Sequence, residues 1–291
     1  MIKSFFKEHR GALNGKKIAV SGCTGGIGGW LCRYVAYLGG SLIMLDRNPI
    51  KAEALERKLK SEFPLADIQR ISVDMQSIAS VKAACEQLKA YECGVLIHNA
   101  GAYKIPREVT DCGYDNVFTI NFISPYYITR QLKDSLDRVV VVGSIAHNYS
   151  KSDESDIDFK TRKGSHLVYG NAKRYVMYSH FELFKNEPQK LAVTHPGISL
   201  TGITAHYPKW LYFFIKPLMR IVFMKPRFAA ISILEGVFNY TEPYCWIGPW
   251  LFGIWGSPKK SRLNTAKPDE IGRISCTAEK IYNEISNAPT R

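Results

Sequence analysis

The chain has 291 residues, of which 46% are hydrophobic, and this length supplies enough apolar surface for one well-packed globular domain spanning residues 1–291. Its formal net charge is +13, but the basic residues are spread along the chain without any nucleic-acid-binding motif, so we expect no nucleic-acid partner. No uncharged run of predominantly apolar residues reaches the roughly 18 residues of a transmembrane helix, and residues 1–17 lack the apolar core of a secretory signal.

The first predicted strand, Lys17–Ser21, is apolar and β-branched and leads directly into a glycine-rich run at residues 21–28, with the sequence SGCTGGIG. A helix with one apolar face follows and ends at Gly39-Gly40. Such a turn binds the pyrophosphate of a dinucleotide, because glycines leave the backbone N–H groups accessible and the helix dipole favours an anion. Two spacings, G-x-x-x-G-x-G and G-x-x-G-x-x-G, fit this run equally, so the turn alone leaves the subfamily open.

Further strands alternate with helices and are predicted at residues 41–45, 68–73, 95–97 and 139–142. This alternation predicts an α/β fold with a doubly wound, mostly parallel sheet of the Rossmann type, in which ligands bind at the carboxyl ends of the strands. Asp46 ends the second strand, at the distance from the glycine turn where an acidic residue accepts hydrogen bonds from the adenosine ribose. Asp46 therefore favours NAD as the cofactor. Arg47, the next residue, could pair with the 2′-phosphate of NADP and therefore supports NADP as the alternative.

Tyr169 and Lys173 are four positions apart and therefore share one face of a predicted helix. A phenol has a pKa of about 10, too high for a base at neutral pH. A neighbouring ammonium and an oxidised nicotinamide both favour the phenolate, so we expect a lowered pKa for Tyr169. Ser144 follows the buried strand at 139–142, and Asn121 lies farther upstream. Together, Tyr169, Lys173, Ser144 and Asn121 predict an enzyme that transfers a proton to or from an alcohol or a ketone.

In this order, the motifs resemble those of the short-chain dehydrogenase/reductase family, in its shorter single-domain branch. The family pattern consists of T-G-x-x-x-G-x-G, N-N-A-G, a helix Asn, a Ser after strand five, Y-x-x-x-K and P-G. These motifs correspond to residues 21–28, 98–101, Asn121, Ser144, 169–173 and 196–197. Ser21 replaces the Thr, and His98 replaces the first Asn. The interval of 25 positions from Ser144 to Tyr169 is about twice the usual gap.

The resemblance implies a role for each residue of the catalytic group. Tyr169 would be the general acid/base, and Lys173 would bind the nicotinamide ribose and tune Tyr169. Ser144 would hold the substrate oxygen, and Asn121 would keep a water or backbone relay in place. The implied cofactor contacts are Ser21, Gly22, Thr24, Gly26, Ile27, Gly28, Asp46, Arg47, Asp74, Asn99, Ala100, Gly101, Tyr169, Lys173, Pro196, Gly197 and Ile198.

The implied reaction is the NAD(P)-dependent interconversion of a secondary alcohol and its ketone. The sequence that starts the interval after Ser144, Ile145-Ala146-His147, is similar to the retinol- and steroid-oxidising branch of the family. This similarity implies a steroid, a retinoid or another lipid-like substrate. Relatives commonly pair through the helices that carry Asn121 and Tyr169, which implies a homodimer or a homotetramer.

Two segments depart from the core pattern. The insertion at residues 145–166 carries four acidic residues and predicts a solvated loop. Residues 200–226 follow Pro196-Gly197 and are rich in large aromatic and aliphatic side chains, so we predict an apolar substrate lid, formed mainly by residues 207–226. The cations between these aromatics also fit a peripheral membrane contact, and an ordinary core helix is the third interpretation.

Other functions match parts of the pattern. A non-catalytic dinucleotide sensor would keep the glycine turn but typically lacks the Tyr or the Lys. A serine hydrolase would need G-x-S-x-G around Ser144, which this sequence does not have, and a sugar-nucleotide epimerase usually has a longer carboxyl-terminal domain. The seven cysteines and seven histidines show no metal-ligand spacing, so we expect reduced thiols, no metal and a cytoplasmic location, with membrane association as the alternative.

Overall fold

The computed structural model describes residues 2–198 and 224–288. The strands are β1 Lys17–Ser21, β2 Ser41–Asp46, β3 Ile68–Ser72, β4 Val95–His98, β5 Arg138–Val142, β6 Leu191–Thr194, β7 Cys245–Leu251 and β8 Trp255–Arg262. They form one sheet in the order β3-β2-β1-β4-β5-β6-β7-β8. Strands β1 to β7 run parallel, and β8 pairs antiparallel with β7. The predicted doubly wound, mostly parallel sheet is confirmed.

Helices cover both faces of this sheet. They are α1 Ile2–Glu8, α2 Gly26–Tyr37, α3 Pro49–Glu62, α4 Ile78–Ala90, α5, α6 Ser165–Leu183, α7 Pro226–Phe238 and α8 Pro268–Asn287, where α5 consists of Asn116–Phe118, a π-helical turn Thr119–Ile123 and Ser124–Leu132. Asn48 caps α3 by accepting a hydrogen bond from the N–H of Lys51, and Pro49 begins that helix. Within the described ranges, no helix is both long and apolar enough to cross a bilayer.

The core has two layers, one on each face of the sheet. Helices α4, α5, α6 and α8 pack on the face that carries Val139 and Val141. Helices α1, α2, α3 and α7 pack on the opposite face, which carries Val140 and Val142. Strand β5 therefore buries side chains on both faces, which explains its continuous valine run. The residues that follow β1, β2, β4, β5 and β6 all lie at the carboxyl edge, between these two layers.

Helix α8 covers the helices through which relatives of the family pair. Arg130 and Tyr126 on α5 both bind the carboxylate of Glu279 on α8. Gln131 donates a hydrogen bond to the hydroxyl of Tyr282 over 2.8 Å, and the Arg130 guanidinium lies 4.6 Å from the centre of that ring. The surface implied for a homodimer is therefore occupied by the chain's own helix.

The insertion at residues 145–166 is partly packed against the rest of the protein. It begins with a 3-10 helix, Ile145–Tyr149, and farther on Asp158 and Phe159 are buried. Arg107 pairs with Asp115 over 2.8 Å and donates to the main-chain oxygens of Phe159 and Arg162 at 3.0 and 2.6 Å. The prediction of a solvated loop is wrong for Asp158 and Phe159, because a cation from outside the insertion binds its main chain.

The predicted substrate lid at residues 200–226 falls almost wholly on 199–223, outside the described residues, and it stays a prediction. The described residues on either side of that segment are joined, since the N–H of Met224 donates to the oxygen of Ile198 over 2.9 Å. Helix α7 then begins at Pro226. The described residues Ile198 and Met224 thus lie together just after Pro196-Gly197.

Candidate active site

The glycine turn after β1 approaches neighbouring main chain so closely that side chains are excluded. Gly22 has a φ of 70°, and a Cβ there would lie 2.9 Å from the Cα of Ala100. A Cβ on Gly28 would lie 2.0 Å from the main-chain oxygen of Gly22. None of the described side chains caps the start of α2 at Gly25. The first N–H groups of this helix are therefore available to an anion such as a pyrophosphate.

Ser21 and Asn99 join the ends of β1 and β4 beneath this turn. The buried Oγ of Ser21 accepts hydrogen bonds from the N–H groups of Asn99 and Ala100 at 3.1 and 2.9 Å. Asn99 Nδ2 donates to the main-chain oxygens of Ser21 and Gly22 at 2.9 and 3.3 Å. Ser21 therefore maintains the shape of the turn from below, and its side chain is not part of the cleft wall.

A cleft of about 700 Å³ opens at the carboxyl ends of β1, β2 and β4. This volume lies within the range of roughly 300–1,000 Å³ that is typical of ligand pockets. Most of the predicted cofactor contacts line it, namely Gly22, Thr24, Gly26, Ile27, Gly28, Asp46, Arg47, Asp74, Asn99, Ala100 and Gly101. The cleft therefore has both the size and the glycine cradle that a dinucleotide requires.

The β2 end of the cleft carries one acidic residue and two cations. Asp46 accepts hydrogen bonds from the N–H and the Oγ1 of Thr24 at 2.6 and 2.8 Å. Arg47 is largely exposed, and its NH1 lies 3.9 Å from the carboxylate of Asp74. Lys51, which the sequence analysis missed, also lines the cleft, and its position one helical turn after Arg47 was the available signal. This end suits ribose hydroxyls at Asp46 and a phosphate at the two cations.

Tyr169 and Lys173 lie on the face of α6 that is turned toward the end of β5. Tyr169 is close enough to Ser144, which follows β5 directly, for the Ser144 side chain to act on the pKa of the phenol. Lys173 Nζ donates to the main-chain oxygen of Val142 over 2.9 Å and lies 5.7 Å from the centre of the Tyr169 ring. The structure therefore brings the predicted serine, tyrosine and lysine together.

The pKa values of this pair move in opposite directions. Burial raises the pKa of Tyr169 to about 12, the hydrogen bond from Ser144 opposes the rise, and the nearby Tyr103 and Tyr149 add to it. Burial lowers the pKa of Lys173 to about 8. The lowered pKa of Tyr169 was expected with an oxidised nicotinamide beside it and stays a prediction for that state; in the protein by itself, desolvation of the phenolate outweighs the hydrogen bond from Ser144. Tyr169 thus carries its proton at neutral pH and is suited to donate it.

Asn121 is held in the π-helical turn of α5, a rare helical form that is frequent at functional sites. Its Nδ2 donates to the main-chain oxygens of Ala102 and Val117, both at 2.8 Å, and its buried Oδ1 has no partner among the described residues. A Cβ on Gly101 would lie 2.9 Å from that oxygen and 3.7 Å from Lys173 Nζ. The unpaired oxygen of Asn121 and the ammonium of Lys173 thus both lie close to Gly101. An ordered water can bind between such an acceptor and such a donor.

Pro196, Gly197 and Ile198 follow β6 and do not line the 700 Å³ cleft, and Gly197 lies against the β7–β8 hairpin. Gly197 has a φ of 79°, and a Cβ there would lie 2.8 Å from the main-chain oxygen of Ile254. His195 Nε2 donates to the main-chain oxygen of Gly253 over 2.8 Å. The hairpin therefore forms one wall beside the Ser144 end of the site.

A model of the short chain dehydrogenases matches residues 16–154, which contain the glycine turn, Asn121 and Ser144. Tyr169 and Lys173 follow the matched part, and α6 directs them back to Ser144. Over residues 16–154, the chain is similar to the short chain dehydrogenases.

Individual relatives of this chain are distant. Retinol dehydrogenase 13 of Homo sapiens is 26% identical over 209 residues, 68% of this chain and 63% of that protein. Polyprenol dehydrogenase of Homo sapiens is 26% identical over 254 residues, 81% and 74% of the two chains. A solved structure of an uncharacterised protein from Mycobacterium paratuberculosis has a TM-score of 0.77 at 22% identity, covering 94% of this chain and 97% of that chain, and shares the fold. The chain spans 61–64% of the length of the first curated relatives that it matches.

One departure from the family pattern, His98, belongs to a buried hydrogen-bond chain. Its Nε2 lies 2.8 Å from Thr129 Oγ1, which in turn lies 3.0 Å from His180 Nε2. His180 Nδ1 donates to the oxygen of Val176 over 2.6 Å, since a carbonyl can only accept. The Thr129 hydroxyl must then donate to His180 and accept from His98. Burial first, then the neighbouring His180 and Lys173, hold the pKa of His98 well below its ordinary value.

Sequence analysis missed the aromatic residues around Tyr169. Tyr103 lines the cleft, and the centre of its ring lies 5.2 Å from that of Tyr169 in an edge-to-face arrangement. Tyr149, which is half-exposed, contributes to the raised pKa of Tyr169 from the other side. The only signal in the sequence was proximity, since Tyr103 comes two positions after Gly101 and Tyr149 five after Ser144. These rings give the site an apolar wall.

Proposed function

We propose that this chain is an NAD(P)-dependent oxidoreductase that interconverts a hydrophobic secondary alcohol and its ketone, such as a steroid, a retinoid or a similar lipid-like molecule. The observation that carries the proposal is the group of Ser144, Tyr169 and Lys173 beside a cleft with a dinucleotide-type glycine turn. The aromatic wall of Tyr103 and the relatives named retinol and polyprenol dehydrogenase support an apolar substrate.

A bound nicotinamide would supply the hydride donor or acceptor. The hydroxyl of Ser144 donates a hydrogen bond to the substrate oxygen and stabilises the negative charge that develops there. Tyr169 gives its proton to that oxygen during ketone reduction and takes it back during alcohol oxidation. Lys173 holds its charge next to the phenol and favours the phenolate after transfer. Lys173 then gives up a proton toward the Tyr169 phenolate, and a water bound to Asn121 Oδ1 replaces that proton.

We further propose that NAD is the preferred dinucleotide. Each carboxylate oxygen of Asp46 accepts one hydrogen bond from Thr24 and keeps lone pairs for the ribose hydroxyls. The same charge repels a 2′-phosphate. Arg47 and Lys51 favour the alternative, NADP, because both line the same end of the cleft. A higher kcat/KM with NADP than with NAD would show that the two cations dominate.

The absorbance of the reduced nicotinamide, followed with a panel of steroids, retinoids, polyprenols and short alcohols, tests the proposal. We expect turnover with bulky secondary alcohols or ketones and its loss in the Tyr169→Phe variant. The matched control is Tyr149→Phe, which alters a neighbouring phenol and should stay active. Dinucleotide binding without turnover of any substrate would instead indicate a non-catalytic sensor.

A further inference from the structure

The turn of the β7–β8 hairpin is apolar and exposed. Residues 250–255, with the sequence WLFGIW, contain no charged, amide or hydroxyl side chain. Trp250 is 62% exposed and Phe252 is 82% exposed. Surface turns are normally built from Gly, Pro, Asn, Asp and Ser, so a turn made only of apolar residues and glycine is unusual. The turn therefore carries two large aromatic side chains that the described core does not use.

The backbone of this turn is also strained at Phe252. The N–H of Ile254 donates to the oxygen of Leu251 over 3.0 Å, and the two central residues, Phe252 and Gly253, have φ values of 52° and 66°. Two successive positive φ angles are typical of the hairpin turn that prefers Asn-Gly or Asp-Gly. A bulky residue in the first position raises the free energy of the fold. Among the described residues, no burial of Phe252 in the core offsets this cost, and insertion of its ring into an apolar surface would offset it.

The charge of the hairpin strands and of the loop after them indicates the kind of surface that the turn fits. From Pro243 to Pro268 the sequence has no Asp or Glu, whereas it has exposed cations at Lys259, Arg262 and Lys267. Lys260 is also exposed and pairs with Glu242 over 3.2 Å. Aromatic side chains flanked by cations bind the headgroup region of bilayers that contain anionic lipids. We propose that the tip of the β7–β8 hairpin, residues 250–255, is a docking site for the surface of an anionic lipid bilayer.

The tip lies next to the catalytic group. Gly253 accepts the hydrogen bond from His195, and a Cβ on Gly253 would lie 3.5 Å from Cγ2 of Ile145, the residue after Ser144. A lipid-like molecule that leaves the bilayer at this tip enters the protein beside Ser144. The entry of a substrate at this point rests on the proposed function, whereas docking to a bilayer does not. An experiment that measures vesicle binding therefore tests docking independently of the proposed reaction.

Co-sedimentation of the full chain with vesicles tests the docking site. We expect binding to vesicles of phosphatidylglycerol and phosphatidylcholine in equal parts, and weaker binding to phosphatidylcholine alone. Phe252→Asn should reduce the partition coefficient about tenfold, since an aromatic side chain leaves the interface. The same change should keep or raise Tm because Asn suits the turn, so that lost binding is not lost folding. The control is Leu65→Asn, which changes a fully exposed apolar residue at the opposite edge of the sheet.

The contribution of charge is tested with Lys259→Gln combined with Arg262→Gln. This variant should lose most of its preference for the anionic vesicles and keep its weak binding to phosphatidylcholine. A parent chain that stays in the supernatant with both vesicles, or a Phe252→Asn variant that binds as the parent does, overturns the proposal. Sedimentation velocity gives a further contrary outcome: if Phe252→Asn converts a dimer into a monomer and leaves vesicle binding unchanged, a second copy of the chain covers the tip.

Discussion

Lys173 donates a hydrogen bond to the main-chain oxygen of Val142 over 2.9 Å, and its side chain is almost completely buried. Val142 ends β5, and Ser144 lies two positions farther on, so the ammonium is attached to the strand end that presents the serine. Burial lowers the pKa of Lys173 to about 8, which means that the folded protein pays in stability for the charged form.

Replacing Lys173 by Met should therefore stabilise the protein near neutral pH. Between the folded pKa of about 8 and the ordinary value of 10.5, the unfolded chain binds more protons, so stability rises with pH through this window. The variant lacks this dependence and should exceed the parent by up to about 3 kcal/mol near neutral pH. Urea unfolding at neutral and at alkaline pH measures the difference, which should shrink as the pH rises. A difference of the same size at both pH values would contradict the assigned burial.

Tyr169→Phe should lower turnover by about 100-fold or more, because it removes the proton-transfer group and leaves the ring in place. Dinucleotide affinity, measured by quenching of tryptophan fluorescence, should change little, since the cleft is lined by other residues. Near-normal turnover in this variant would exclude Tyr169 as the acid/base. Loss of dinucleotide binding as well would mean that the ring itself supports the cleft.

The contributions of Asp46 and Thr24 to cofactor binding can be distinguished by their effects on the ratio of NAD to NADP affinity. Asp46→Ala removes the charge that repels a 2′-phosphate, so the ratio of NAD to NADP affinity should fall. Thr24→Val keeps that charge and removes one hydrogen bond to it, so both dinucleotides should bind about fivefold more weakly at an unchanged ratio. Calorimetric titration of the two variants measures the ratio. An unchanged ratio in Asp46→Ala would assign the selection to Arg47 and Lys51.

Arg107→Ala should destabilise the protein by about 2–4 kcal/mol. The change leaves the buried carboxylate of Asp115 without its cation and the oxygens of Phe159 and Arg162 without their donor. Chemical unfolding measures the loss, and faster trypsin cleavage within 145–166 should accompany it. Arg57→Ala is the matched control, because Arg57 is exposed and its pair with Glu53 is long, at 3.9 Å. An Arg107 variant as stable as this control would show that the insertion needs no such support.

The buried histidines should make the protein sensitive to mild acid. Burial lowers the pKa of His147, His180 and His195 from 6.5 to about 4. The unfolded chain therefore binds more protons between these values, and stability should be lost as the pH falls from about 6.5 to 4. His195→Phe keeps the stacking on Trp246 and removes one titrating group, so its unfolding free energy should vary less with pH. An identical pH dependence in the parent and the variant would contradict this assignment.

The sequence by itself determined the strand-turn-helix units and the residues of the catalytic group. β-Branched runs such as residues 139–142 and the glycines at 21–28 act through local backbone preferences, so their structures could be predicted without knowledge of the rest of the chain. Tyr169 and Lys173 share a helix face because of the helical period alone. Because parallel strands end at the same edge of a sheet, the predicted strand order was enough to place Asp46 and Ser144 at the carboxyl edge.

Only the tertiary structure decided the properties that depend on distant contacts. The raised pKa of Tyr169 arises from burial beside Tyr103 and Tyr149, which no spacing encodes. The β7–β8 hairpin was missed, because its aromatic sequence has neither strict alternation nor a polar turn, and its strand pairing depends on the sheet edge offered by β6. His98 likewise depends on Thr129, 31 positions away. Burial and long-range pairing are set by the whole fold, and a local pattern carries no information about which distant residue completes a contact.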